Sequence, residues 1–146
     1  MFLSSPIPGS LGPVGFNKVI RVLAVDQNSL MREGLSLLVR LQPDMQLVGA
    51  AAMGEEALQM YIEQRPDVTL MDLDLPSQAA IGAIRKIRAR DAGARIIGLT
   101  TYEPDAAWAE ALAAGASQWI AKDGLSDSLP RLIRNEVPPV PPENGG

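Results

Sequence analysis

The stretch VTLMDLDLP, residues 68–76, decides how the rest of the chain is read. Val68, Thr69, Leu70 and Met71 form a short run suited to a buried strand. Asp72 comes at its C-terminal edge, and Pro76, which has no backbone N–H to give, stops further sheet pairing. A carboxylate there either caps a turn or lies in the crevice where open α/β sheets take their ligands. What ends the neighbouring strands decides between the two.

Residues 20–25 (IRVLAV) are a second apolar, β-branched run, and they too end in an aspartate, Asp26. Residues 45–52 (MQLVGAAA) read as a strand of small residues. Residues 95–99 (RIIGL) lead into the hydroxyl pair Thr100 and Thr101, and residues 118–121 (QWIA) lead into Lys122. Helical spacing fills the intervals. Asn28 or Ser29 caps a helix to about Leu41, with Met31, Leu35 and Leu38 as its apolar stripe and Leu30, Leu37 and Leu41 widening it. Gly54 opens a helix with Ala57, Leu58, Tyr61 and Ile62 at helical spacing. After a loop at residues 77–80, Ile81, Ile84 and Ile87 space a third helix with Arg85, Lys86, Arg88 and Arg90 on its outer face. Asp105 caps an Ala-rich helix that Gly115 stops. Leu125, Leu129, Leu132 and Ile133 mark the last helix, where Pro130 is tolerable only within the first turn.

Five strands alternating with helices predict an α/β fold, a doubly wound five-stranded parallel sheet with helices on both faces. The expected organisation is a flexible N-terminal extension over residues 1–18, one domain over 19–136, and a Pro-rich tail or linker over 137–146. In such a sheet the strand ends share one edge, so Asp26, Asp72, Thr100 and Lys122 converge on one polar pocket.

Composition narrows the chemistry. The chain has 146 residues, 47% of them apolar, 13 basic against 17 acidic, and neither Cys nor His. Without those two side chains there is no disulfide, no thiolate or imidazole metal site, and no Ser/His or Cys/His hydrolase. A net charge of -4 argues against nucleic-acid binding by this chain itself, and the basic helix face reads as solvated. No apolar run approaches the roughly 20 residues that cross a bilayer, so no membrane partner and a cytoplasmic location are expected. Two carboxylates in a partly dry crevice repel and invite a hard divalent cation such as Mg2+. A phosphoryl group on Asp72 would find the Lys122 ammonium and Thr100 hydroxyl beside it, and with no His in the chain its donor is another molecule.

The segments RVLAVD, MREGL, QPDMQLVG, GEEAL, RPDVTLMDLDLP, GLTTY, ALAAGAS and AKD together resemble the receiver domain of two-component response regulators, across residues 20–134. MREGL, RPDVTLMDL, LTTY and AKD resemble most the branch whose receivers usually precede a LuxR-type helix-turn-helix. The resemblance implies strand order 2-1-3-4-5, Asp72 as phosphoacceptor, and Asp26, Asp72 and the backbone carbonyl of Asp74 as Mg2+ ligands. It also implies Thr100 as switch hydroxyl, Trp119 as switch aromatic and Lys122 as the phosphate-binding lysine. The partners implied are a sensor histidine kinase or phosphotransfer protein and a second copy in a homodimer; DNA contact would belong to an output domain. The resemblance further implies that the chain catalyses only its own phosphorylation and dephosphorylation and is not otherwise an enzyme.

Gln27 departs from the pattern, standing where a second carboxylate is expected. Its carboxamide is a weaker metal ligand, and the side chain of Asp74, read as free, would then compensate in part. Ala79 and Ala80 replace the usual Asp-Gly of this branch, and Trp119 is bulkier than its usual Tyr or Phe. Weakened metal binding gives a second version, in which the receiver works without phosphorylation as a dimerisation or partner-binding module. A remote alternative is a haloacid-dehalogenase-like phosphohydrolase, with Asp72-Leu73-Asp74 as its Asp-x-Asp and Asp74 as general acid. Against it, Asp123 and Asp127 follow Lys122 too closely to end another strand.

Overall fold

The computed structural model describes residues 18–74, 79–101 and 106–136. The expectations for Pro76, Asp105, the N-terminal extension before residue 18 and the tail after residue 136 lie outside them. The elements are β1 (Ile20–Val25), α1 (Ser29–Arg40), β2 (Met45–Ala51), α2 (Gly54–Gln64), β3 (Val68–Asp72), α3 (Ala79–Arg90), β4 (Ile96–Thr100), α4 (Ala106–Ala114), β5 (Gln118–Ala121) and α5 (Leu125–Ile133). All neighbouring strands pair in parallel, in the order β2-β1-β3-β4-β5. The predicted doubly wound sheet and its strand order are therefore present.

Strand alternation builds two cores. From β1, Leu23 and Val25 pack with Met71 and Ile96 against Tyr61 of α2 and Ile84 and Ile87 of α3. Val22 and Ala24 point the other way, joining Leu70 and Leu99 under Leu35 of α1 and Leu129 of α5. Each fully buried Leu or Ile contributes about 1.5–3 kcal/mol relative to exposure, which is why these central strands carry apolar residues at successive positions.

Three expectations change. On α1, Leu35 and Val39 are buried, whereas Leu30, Leu37 and Leu41 are 76%, 58% and 67% exposed. At about 100° per residue those three lie on a different side of the helix from the packed stripe, so they do not widen it. The third helix begins at Ala79, inside the span expected to be loop. Pro130 sits in the second turn of α5, beyond its first. Its ring is buried, and Ser126, whose carbonyl loses the bond that Pro130 cannot donate, is an exposed residue that water reaches.

Other joins follow the chemistry of the sequence. Asn28 caps α1 by accepting the Met31 N–H at 2.9 Å. Gly115, at φ 124°, ends α4, with the Gly115 and Ala116 N–H groups both donating to the Ala111 carbonyl. Arg134 ties the end of α5 to the α1–β2 turn through both carboxylate oxygens of Asp44, at 2.8 and 2.9 Å. Among the described residues no helix is long and apolar enough to cross a membrane.

Candidate phosphoacceptor site

Strand register assembles the site. Val25 pairs with Met71, so Asp26 and Asp72 leave β1 and β3 side by side. Asp72 pairs with Leu99 and Thr100 with Ala121, so the next positions at the same sheet edge are Thr100, Thr101 and Lys122. Asp26, Asp72 and Thr100 are all buried. Lys122 opens a 3-10 turn, Lys122–Gly124, that returns the chain into α5.

Lys122 is the centre. Its Nζ lies 2.9 Å from Asp72 Oδ1, 3.0 Å from Asp26 Oδ2 and 3.3 Å from Asp74 Oδ2, with the side chain 13% exposed. Burial works against its charge, but the hydrogen bond to Asp72 and the Asp26 carboxylate beside it prevail and raise its pKa above the ordinary lysine value, so it stays an ammonium. Burial pushes the Asp72 carboxyl up, while Lys122 and the Asp74 N–H pull it down and the Asp26 carboxylate adds to the rise.

The two oxygens of Asp72 differ. Oδ1 accepts from Lys122 at 2.9 Å and from the Asp74 N–H at 2.8 Å. Oδ2 is buried with no hydrogen-bond partner among the described residues. Asp26 Oδ1 accepts the Asn28 N–H at 2.9 Å; its Oδ2 is close to Lys122 but also lacks an aligned hydrogen bond among the described residues. Asn28 is the cap of α1, and Asp26 holds the backbone of that cap from within the site.

Asp74 is not free. Its Oδ2 accepts from Thr101 Oγ1 at 2.6 Å and from the Thr101 N–H at 3.0 Å, beside its contact with Lys122. Its carbonyl faces Gln27, whose Nε2 donates to it at 3.4 Å, a long bond. Arg32 of α1 fixes the Gln27 turn by donating to the carbonyls of Asp26 at 2.8 Å and Gln27 at 3.2 Å. Sequence reasoning gave Arg32 and Thr101 no role, although Arg32 lies inside MREGL and Thr101 inside LTTY. Trp119 stands apart from this cluster on β5, 38% exposed, so it is not plain core.

The donor set suits a hard cation in part. Two buried carboxylates whose Oδ2 atoms lack hydrogen bonds among the described residues favour one, and the Asp74 carbonyl, which accepts only a long bond from Gln27 among them, would be a further oxygen donor. Gln27 adds no charge. Among the described residues no three acidic side chains gather as a metal cage. An open groove of about 430 Å3 leads to the cluster, lined by Asn28, Leu30, Met31, Gly34, Thr101 and Lys122.

The family model of the response regulator receiver domain matches residues 22–134. The chain belongs to the response regulator receiver family. This receiver is 36% identical over 109 residues to the transcriptional regulatory protein YdfI of Bacillus subtilis, an alignment covering 75% of this chain and 51% of that protein. It matches the solved response regulator domain of Thermotoga maritima CheB at TM-score 0.73 and 35% identity, covering 84% of this chain and 100% of that one. A LuxR-family two-component response regulator from Aurantimonas sp. SI85-9A1 matches at TM-score 0.71 and 32% identity, over 81% and 87% of the two chains. The LuxR branch suggested by the motifs is thus represented among its neighbours. The receiver spans about half the length of curated relatives such as YdfI. Receiver domains are signalling modules of two-component systems, they typically use Mg2+ in phosphorylation, and they interact with histidine kinases or phosphotransfer proteins.

Proposed function

We propose that this receiver accepts a phosphoryl group on Asp72 from a partner histidine kinase or phosphotransfer protein and switches a protein-binding surface. The observation that carries this reading is the asymmetry of Asp72: Oδ1 is held by Lys122 and the Asp74 N–H, while Oδ2 has no hydrogen-bond partner among the described residues. A buried, unpaired carboxylate oxygen keeps its lone pairs available for attack. Attack by Oδ2 on a phosphohistidine forms the P–O bond and breaks the P–N bond, whose electron pair returns to the donor imidazole. Lys122 is placed to share its ammonium with the new phosphoryl oxygens, and Thr100 ends the neighbouring strand beside them.

A divalent cation held by Asp26, Asp72 and the Asp74 carbonyl would supply further charge neutralisation there. Gln27 limits how strongly it binds. Signal output would use the face of α4, β5 and α5, where Leu112 and Trp119 are 53% and 38% exposed, either as a homodimer contact or toward another partner. DNA contact would fall to an output domain, since this chain carries a net charge of -4. On this reading the receiver turns over no substrate beyond its own phosphoryl group.

The second reading, a partner-binding module that works without phosphorylation, draws support from Gln27 Nε2, which gives the Asp74 carbonyl a neutral donor in place of a cation. Intact mass after incubation with Mg2+ and acetyl phosphate separates the two. A gain of one phosphoryl group that disappears in Asp72→Ala supports the first; no gain at saturating donor supports the second.

A further inference from the structure

Asp74 Oδ2 meets three groups: it accepts hydrogen bonds from the Thr101 hydroxyl at 2.6 Å and the Thr101 N–H at 3.0 Å, and it pairs with the Lys122 ammonium at 3.3 Å. The single oxygen therefore ties the end of β3 to the start of the β4–α4 connection and to the lysine that follows β5. Nothing in the strand pairing requires this, because Thr101 lies beyond the last paired residue of β4.

The charges around Lys122 define what a phosphoryl group would do to that tie. Three carboxylates face one ammonium. Esterifying Asp72 removes one carboxylate charge and adds about -1.5 to -2, so at unchanged cation occupancy the negative excess grows and the new oxygens compete for Lys122. Of the two carboxylates that remain, the Asp26 side chain is fully buried and the Asp74 side chain is 27% exposed. Repulsion is relieved most readily by the one that can reach water. When Asp74 turns outward, Thr101 loses the acceptor of both its hydrogen bonds to that carboxylate at once.

We propose that Asp74 is a positioning residue whose carboxylate clamps Thr101 and shares Lys122 in the unphosphorylated receiver, and that phosphorylation of Asp72 opens the clamp by charge repulsion. The proposal rests on the phosphoacceptor reading for its trigger and on the observed hydrogen bonds for its resting state. It assigns the Asp74 side chain to conformational coupling instead of compensation for Gln27 at the cation. Asparagine at this position would retain an acceptor oxygen for Thr101 but no charge, so it would hold the clamp and fail to release it.

Residue-resolved amide hydrogen exchange of the whole chain, with and without Mg2+ and acetyl phosphate, tests both halves. In the resting protein Asp74→Ala should speed exchange of the Thr101 N–H by about tenfold, the loss of one charged acceptor, while Leu99 within β4 stays unchanged. Asp74→Asn should leave Thr101 protected. Phosphorylation should deprotect Thr101 in the parent but not in Asp74→Asn. Resting Thr101 exchange unaltered in Asp74→Ala overturns the clamp. Protection retained in the phosphorylated parent, or lost equally in phosphorylated Asp74→Asn, overturns the charge-driven release. A parent that takes no phosphoryl group at all removes the phosphoacceptor reading and the release with it, while the Asp74→Ala arm still decides the resting clamp.

Discussion

Lys122 Nζ stands 2.9 Å from Asp72 Oδ1, joining strand ends 50 residues apart in the chain. Asp26 Oδ2 lies 3.0 Å from the same nitrogen. Removing that ammonium leaves two buried carboxylates facing each other, and breaking a buried ion pair from one side typically costs about 3–5 kcal/mol. Lys122→Met should lower unfolding free energy by about that amount in urea titrations, and adding Asp72→Asn should restore part of it. A Lys122→Met protein as stable as the parent would contradict the central placing of this lysine.

The pH dependence of Asp72 runs opposite to that of an exposed salt-bridged aspartate. Burial holds its folded-state pKa above the ordinary 3.8, so the folded chain binds this proton more tightly than the unfolded one. Ionising Asp72 therefore opposes folding: the penalty is complete above the folded pKa and is gone below 3.8. Asp72→Asn should be more stable than the parent at neutral pH, with the difference shrinking as pH falls toward about 4. Urea midpoints measured across pH check this; a pH-independent difference would show that the effect is not ionisation.

Leu73 packs on Gly98 in the turn that follows Asp72. A Cβ added at Gly98 would stand 2.6 Å from Leu73 Cδ1 and 3.0 Å from its Cγ, while the Leu73 N–H donates to the Leu99 carbonyl at 2.8 Å. Gly98→Ala should cost about 1–3 kcal/mol by overpacking. The double variant Gly98→Ala with Leu73→Ala should lose less than the two single losses added, as a double-mutant cycle in thermal unfolding would show.

Much of this site was legible because strand ends can be read from apolar runs. IRVLAV, VTLMD and QWIA each stop at a charged residue or just before one, and parallel pairing then brings Asp26, Asp72 and Lys122 to one edge. The Asp74–Thr101 contact was in principle legible too. With Asp72 opposite Leu99, two further residues on each strand bring Asp74 to Thr101. The side chain of Asp74, read from the sequence as free, is instead held by Thr101. Leu30, Leu37 and Leu41 were misplaced for another reason: leucine at helical spacing marks a face of a helix, and only packing against the sheet tells which face is buried.

On the proposed reading, Gln27 would weaken cation binding because a carboxamide brings no net charge. Gln27→Asp should tighten Mg2+ binding by about tenfold and reduce stability in its absence, since a further carboxylate then joins those of Asp26, Asp72 and Asp74 at the site. Tryptophan fluorescence during Mg2+ titration, with urea melts in chelator, reads both effects. Tighter binding with no loss of metal-free stability would mean that position 27 points away from the carboxylates.

The most direct test of the central claim is to locate the phosphoryl group. An acyl phosphate on aspartate is reduced by borohydride to a homoserine side chain, which peptide sequencing by mass spectrometry detects. After incubation with Mg2+ and acetyl phosphate, reduction should convert position 72 and leave positions 26 and 74 as aspartate. Conversion at position 26 or 74, or none at any of the three at saturating donor, would contradict Asp72 as the phosphoacceptor.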